Sequence, residues 1–362
     1  MYKYEHGGDI YTEKTTADGK PLVDFSANIN PLGLPLGVKE AMKAAIKECG
    51  NYPDPFCRKL REATAAYLNV RPEYLFFGNG ASDLLFRLAV ALKPTRGMVY
   101  APTFADYAKA LRAVKCNVRN YYLLEENDFL PTKNIVGKMT TRTDIFVICN
   151  PNNPTGQITS RAVIERMLQK CRVINCKLLV DECFMDFVAP EKAFSVCDLL
   201  EEYPELIILK AFTKTFAMPG VRLGYLMCSD MEMHEKLYQS GQDWSVSVLA
   251  QAAGIAALKE QEYLHESMML VQEERQYLIS QLKSLGAKVY GSEANYVFFY
   301  LSQPKNLDGL LREQGYIIRS CANYDNLGRG YYRIAVKTRV LNRGLIKAIK
   351  EAKKHALFIN FN

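Results

Sequence analysis

Two observations predict an α/β protein built on a mostly parallel, seven-stranded sheet with a smaller α+β unit behind it. From about residue 74 to residue 227, seven short apolar runs alternate with helical patterns. That rhythm suits a sheet covered by helices on both faces. After Asp230 the rhythm changes. A long amphipathic region from about Val246 to Leu285 precedes several shorter strands and a closing helix. The expected division is an arm over 1–35, a large unit over 36–245 and a small unit over 246–362.

Taken in order, residues 1 to about 35 read as irregular, with turn signals at Gly7-Gly8, Asp18-Gly19 and Asn30-Pro31-Leu32-Gly33. A helix is expected from about Leu36 to Glu48, with Val38, Met42 and Ile46 on one face. Tyr52-Pro53-Asp54-Pro55 then breaks the chain before a second helix carrying Leu60, Thr64 and Tyr67. The seven strands follow at about 74–77, 98–101, 118–123, 145–149, 178–181, 206–209 and 224–227. Asp83 to Leu92 and Arg161 to Cys171 have helical spacing. In the small unit, strands are expected at Val289-Tyr290, Tyr296–Tyr300, Tyr316–Arg319 and Tyr331–Val336, and a helix from about Leu341 to His355.

Composition narrows the function. At 362 residues with 49% hydrophobic and 23% charged residues, the chain can bury a sizeable core. Its formal charge of +7 is spread without a Lys/Arg block, which favours small anions over nucleic acid. The ten cysteines form no CxxC pair, so reduced thiols are expected rather than disulfides or a metal site. No apolar run is long enough for a bilayer and no signal-like segment opens the chain. The expected location is the cytoplasm.

The chemistry gathers around Lys210-Ala211-Phe212-Thr213-Lys214-Thr215, which joins the apolar runs 206–209 and 223–227. A lysine on such a connection loses charge by desolvation and becomes an amine nucleophile. Thr213 and, eight residues beyond the lysine, Arg222 suit a phosphate. Gly78-Asn79-Gly80-Ala81-Ser82 offers N–H groups and a hydroxyl at a helix start, another phosphate seat. Asn150-Pro151-Asn152-Asn153-Pro154-Thr155-Gly156 follows a strand and places an amide at the sheet edge, with a cis Asn-Pro bond a further expectation. Asp181 ends another strand, where a buried carboxylate needs a cationic partner such as a protonated pyridine nitrogen.

In this order the motifs resemble the fold-type-I pyridoxal-phosphate (PLP) enzymes of the aspartate aminotransferase fold, over essentially the whole chain. The resemblance implies that Lys214 carries PLP covalently and that Asp181 pairs with its ring nitrogen. It implies that Asn153 bonds the ring's O3′, that Phe104 stacks on the ring, and that Ala81, Ser82, Thr213 and Arg222 bind its phosphate. Tyr52 would reach the cofactor of a partner subunit, which implies a homodimer with shared sites.

Three further segments resemble a narrower family, the L-threonine-O-3-phosphate decarboxylases of cobalamin biosynthesis. They are His6-Gly7-Gly8-Asp9 with 24–33, Ile318-Arg319-Ser320-Cys321-Ala322-Asn323-Tyr324, and Tyr331-Tyr332-Arg333-Ile334-Ala335-Val336. Asp181-Glu182-Cys183-Phe184 agrees, because histidinol-phosphate aminotransferases usually have tyrosine where Phe184 stands. The implied substrate is a small phosphorylated amino acid held by His6, Gly7, Asn28, Asn153, Arg319 and Arg333. Two other readings share most of these residues: an aminotransferase of the histidinol-phosphate type, and a decarboxylase of O-phosphoserine. Which arginine takes carboxylate and which takes phosphate is left open by the residues alone.

Overall fold

The computed structural model describes residues 6–12, 14–188 and 194–359. Its strands are β1 Val23–Asp24, β2 Leu75–Gly78, β3 Arg96–Ala101, β4 Asn117–Tyr122, β5 Ile145–Cys149, β6 Lys177–Asp181, β7 Leu206–Ala211 and β8 Gly224–Met227. They continue with β9 Lys288–Tyr290, β10 Tyr296–Tyr300, β11 Tyr316–Ile317, β12 Arg319–Ser320 and β13 Tyr331–Ala335. Met1–Glu5 of the expected arm lie outside the described residues.

Seven strands form one sheet in the order β2-β8-β7-β6-β5-β3-β4. Only β8 runs against its neighbours, β2 and β7. The central strands β5 and β7 are buried at every residue, as apolar strands between two helical layers must be. Strand order reverses around β3, which pairs with β4 on one side and β5 on the other. Such a reversal leaves a crevice beyond the carboxyl ends of the strands. The ends of β3, β5, β6 and β7 deliver Phe104, Asn153, Asp181 and Lys214 there. Because β8 runs the opposite way, the residues that enter it, Arg222 and Leu223, come back to the same end of the sheet.

A four-stranded antiparallel sheet, β12-β13-β10-β9, packs with the helices Gln261–Ser284 and Arg339–Ile359 around a second core that includes Leu278, Val297, Phe299 and Leu345. The N-terminal segment joins this core. β1 pairs in parallel with β11, and Phe25 is fully buried there. Its N–H bonds Ile317 O at 2.7 Å and its carbonyl accepts from Ala335 N at 2.8 Å.

Several sequence expectations are corrected. Residues 1–35 are not wholly irregular, since β1 and a bridge between Thr15 and Pro21 lie among them. The strand expected over 316–319 is two strands in two sheets, divided where Ile318 turns into the core. The region 246–285 is two helices, Val248–Ala257 and Gln261–Ser284. Ile46 and Tyr67, expected to face inward, are 59% and 42% exposed. The first helix ends at Ala45 and tightens into a 3-10 turn over Ile46–Gly50, which rotates Ile46 outward. The helices Ala105–Ala113, Met231–Gln239 and Leu307–Glu313 were not read from the sequence. Among the described residues no helix is long and apolar enough to cross a membrane, and no group of three or more His, Cys, Asp or Glu side chains is placed to hold a metal ion.

Candidate active site

Lys214 sits on a single helical turn, Phe212–Thr215, directly after β7. A short turn would be loose without outside bonds, and the N-terminal segment supplies them. Asn30 N–H donates to Lys214 O at 3.1 Å, and Asn30 Nδ2 donates to Thr215 O at 2.7 Å. Below it, Thr215 Oγ1 and Lys210 Nζ both bond Asp186, at 2.8 and 2.9 Å. Burial lowers the Lys214 ammonium to about 8, and the positive charges of Arg333 and Arg222 push in the same direction. The side chain nevertheless keeps some exposure, because it opens into a cleft of about 290 Å³.

One wall of that cleft is shaped for phosphate. The helix Ala81–Leu92 begins after Gly80, whose φ is +86°. A Cβ on Gly80 would stand 2.5 Å from Arg222 Nη2, so only glycine lets the guanidinium lie against this turn. Across β8, a Cβ on Gly224 would stand 3.0 Å from Ala81 N. The Ser82 hydroxyl donates to Asp106 Oδ2 at 2.9 Å, so it is the N–H groups of Ala81 and Ser82 that are left facing an anion. Thr213 and Arg222 line the same corner.

Asp181 is 5% exposed. Burial raises its carboxyl above the usual range, against donors at Cys183 N (2.9 Å) and the Tyr107 hydroxyl (2.6 Å). Asn153 Oδ1 accepts from Arg333, which leaves its Nδ2 as the end free to donate. Arg333 also donates to Ser26 O at 2.6 Å and lies over the Tyr296 ring. Phe184 lines the cleft and packs edge-on against Tyr296 with centroids 5.1 Å apart.

β12 and β13 set Arg319 directly opposite Arg333 in register. Directly opposed residues of antiparallel strands share a face, and like charges there repel. Arg319 is steadied by Ser320 O and Asn323 Oδ1, both at 2.8 Å. His6 stands beside Asp106 and tilts on Phe104 at 5.2 Å between ring centroids.

His6, Gly7, Asn28, Ala81, Ser82, Phe104, Asn153, Asp181, Thr213, Lys214, Arg222, Arg319 and Arg333 therefore line one cleft. Tyr52 does not. It is 79% exposed and stacks on Trp244 at 4.6 Å. The expected cis bond occurs at Asn150-Pro151. Sequence reasoning missed Ser26, Asp106, Tyr107 and Tyr324, which also line the cleft. Asp106 and Tyr107 follow Phe104 in a helix start that has no motif of its own, so only proximity to Phe104 could have flagged them.

The residues fit pyridoxal phosphate. A lysine held partly neutral lines the same cleft as a buried carboxylate, and an arginine lies against a helix N-terminus. Three buried polar atoms of the lining, Asn28 Oδ1, Asp106 Oδ1 and Arg333 Nε, make no hydrogen bond among the described residues. A ligand with both donors and anionic oxygens answers such atoms.

Residues 20–349 match the family described as aminotransferase class I and II. The threonine-phosphate decarboxylase of Salmonella typhimurium is 34% identical over 97% of each chain. An adenosylcobalamin biosynthesis bifunctional protein of Leptospira interrogans is 26% identical over 95% of this chain, which spans 40% of that protein. The crystal structure of a histidinol-phosphate aminotransferase from Clostridium acetobutylicum superposes with a TM-score of 0.87 at 29% identity. It covers 92% of this chain and 100% of that one.

Proposed function

The chain belongs to the aminotransferase class I and II family, and on that premise we propose that it decarboxylates L-threonine O-3-phosphate to 1-amino-2-propanol O-2-phosphate, a step of cobalamin synthesis. It is a PLP-dependent enzyme. The observation that supports the proposal is the in-register pair Arg319 and Arg333, which lines the same cleft as Arg222. Three arginines suit three anions: the cofactor's phosphate, the substrate's carboxylate and the substrate's phosphate.

When bound, PLP supplies a protonated ring that accepts the electron pair released as a bond at Cα breaks. Asp181 would pair with the protonated ring nitrogen, since a buried carboxylate needs a cationic partner. Lys214 is the residue that would hold the cofactor covalently, its amine being available as a nucleophile because burial lowers its pKa. Arg319 and Arg333 fix the two anions, so the carboxylate is held in one orientation relative to the ring. The Cα–carboxylate bond breaks and CO₂ leaves. Lys214, with its lowered pKa, would be the acid that gives a proton to Cα. Phe184 offers no hydroxyl, so Asn153 is the lining side chain that would hold the ring's O3′.

The test is direct. With O-phosphothreonine and PLP, CO₂ and aminopropanol phosphate should appear in equal amounts without an added 2-oxo acid. Consumption of a 2-oxo acid with no CO₂ would replace this reading with the aminotransferase one.

The proposed enzyme is a homodimer in which Tyr52 reaches the partner's cofactor. Exposed apolar side chains support this: Leu36 is 71% exposed and Ile46 59%, and Tyr52, 79% exposed, stacks on Trp244, 49% exposed. Mixing Lys214→Ala and Tyr52→Ala proteins under subunit exchange should restore activity in heterodimers, each with one unaltered composite site. Exchange shown by mass with no recovered activity would count against a shared site.

A further inference from the structure

A carboxylate that does not line the cleft ties the exit of β4 to the strand that carries Arg333. Glu125 opens a 3-10 turn, Glu125–Asn127, just after β4. Its Oε1 accepts from Lys288 Nζ at 2.8 Å and from the Tyr290 hydroxyl at 2.5 Å, and its Oε2 accepts from the Tyr331 hydroxyl at 2.6 Å. Lys288 and Tyr290 belong to β9. Tyr331 opens β13, two residues before Arg333 and on the same face of the strand. The three bonds, that of Lys288 first, lower the Glu125 carboxyl to about 2. The tie is therefore charged above the ordinary carboxylate range and is lost only as pH falls toward that value.

The same segment is held from a second side. Asp128 and Phe129 both have φ of +55°, a left-handed backbone that a bulky residue adopts only where its surroundings impose it. Two sets of contacts impose it here. The Phe129 ring, 1% exposed, stands edge-on to Tyr290, Phe298 and Tyr331, with centroids 5.0, 5.6 and 6.1 Å away. Gln157 Nε2 donates to Asp128 O and, at 2.8 Å, to Asp128 Oδ2. Gln157 closes the loop that carries Asn153, since Asn152 N–H donates to Gln157 O at 2.8 Å. Residues 125–129 thus grip the loop of Asn153 through Gln157 and the strand of Arg333 through Tyr331, and those two side chains bond each other in the cleft.

We propose that Glu125 is a positioning residue for Arg333, acting through Tyr331 and resting on the decarboxylase reading for Arg333's role. Pairing with β10 and β12 fixes β13 within the small sheet but not against the large one, where the cofactor-phosphate corner lies. Glu125 sets that second relation by taking a hydroxyl from β13 itself. The Tyr296 hydroxyl, from β10, bonds Asn152 O at 2.8 Å. With that tie in place, loss of Glu125 lets β13 shift without parting the two sheets, and Arg333 moves off the plane that suits an anion.

The experiment is Glu125→Ala, Glu125→Gln, Tyr331→Phe and Tyr290→Phe in the PLP-loaded enzyme, with Glu125→Ala also added to Arg333→Lys. Binding of O-phosphothreonine is read from the cofactor's visible absorbance, which needs no turnover. Glu125→Ala should weaken binding by about tenfold with PLP retained. KM should rise by a similar factor while kcat changes by less than about threefold. Glu125→Gln keeps an acceptor and should recover part of the loss. Tyr331→Phe should weaken binding more than Tyr290→Phe, because only Tyr331 lies on β13. It removes a single hydroxyl and reports even if the larger change unfolds the protein. Added to Arg333→Lys, Glu125→Ala should cost less than about a further twofold, while Tm falls alike in both backgrounds. Unchanged binding in Glu125→Ala, equal effects of the two tyrosine changes, or a full further loss on top of Arg333→Lys would overturn the proposal. Weakened, non-additive binding in a protein that releases no CO₂ from O-phosphothreonine would uphold the link and reject the decarboxylase reading instead.

Discussion

Lys214→Ala should bind PLP only non-covalently and lose turnover by on the order of 10⁴-fold or more, because in the proposed mechanism one side chain both holds the cofactor and returns the proton to Cα. The wild-type protein offers a second measure of the same residue. Its ammonium is lowered to about 8, chiefly by burial. The uncharged amine is the form that reacts, and a lowered pKa makes it available from a lower pH. Near neutral pH a much larger share of Lys214 is therefore neutral than of an ordinary lysine. The rate at which added PLP becomes fixable by borohydride on Lys214 in the apoprotein should therefore climb with pH up to about 8 and level off above it. A rate still climbing through pH 10, or a label mapped to another lysine, would show that the cleft does not activate this amine.

Arg333→Lys should lower kcat/KM by about 2–4 kcal/mol of transition-state stabilisation while PLP stays bound. Arg333 is 5% exposed and uses two guanidinium nitrogens for Asn153 Oδ1 and Ser26 O, with Nε left over. A lysine keeps the charge, but its single ammonium cannot bond both acceptors and still face an anion in a fixed plane. Part of the loss should appear through Asn153, whose amide orientation Arg333 sets. The spectrum of bound PLP should shift as well, and that shift separates this variant from one that merely loses substrate affinity. A change in kcat/KM below about threefold would remove Arg333 from the substrate clamp.

Much of the site was legible because its residues travel with strand ends. Lys214, Asp181 and Asn153 each lie within four residues of a strand that the apolar runs mark. Once the sheet is mostly parallel, those ends must point one way, and the residues beyond them must meet. Arg222 needed one more fact, that β8 runs backward, yet its placement just before a marked strand was local too.

What the sequence determined by itself is the sheet, the end of it where the cleft lies, and the lysine that follows β7 into that cleft, since each follows from periodicity and from short motifs whose parts are neighbours in the chain. What only the tertiary structure decided involves partners far apart in sequence: Arg319 opposite Arg333, the arm seated on Ser26 and Asp106, the split at Ile318, and Tyr52 stacked on Trp244 outside the cleft. The physical reason is that local propensity depends on nearby residues, whereas strand register and the docking of an arm depend on which distant surfaces cover each other's apolar groups and satisfy each other's donors. Asp106 shows the difference. Its two contacts, His6 and Ser82, lie 100 and 24 residues before it in the chain, and no spacing rule connects them until the strands are paired and the arm is laid across their ends.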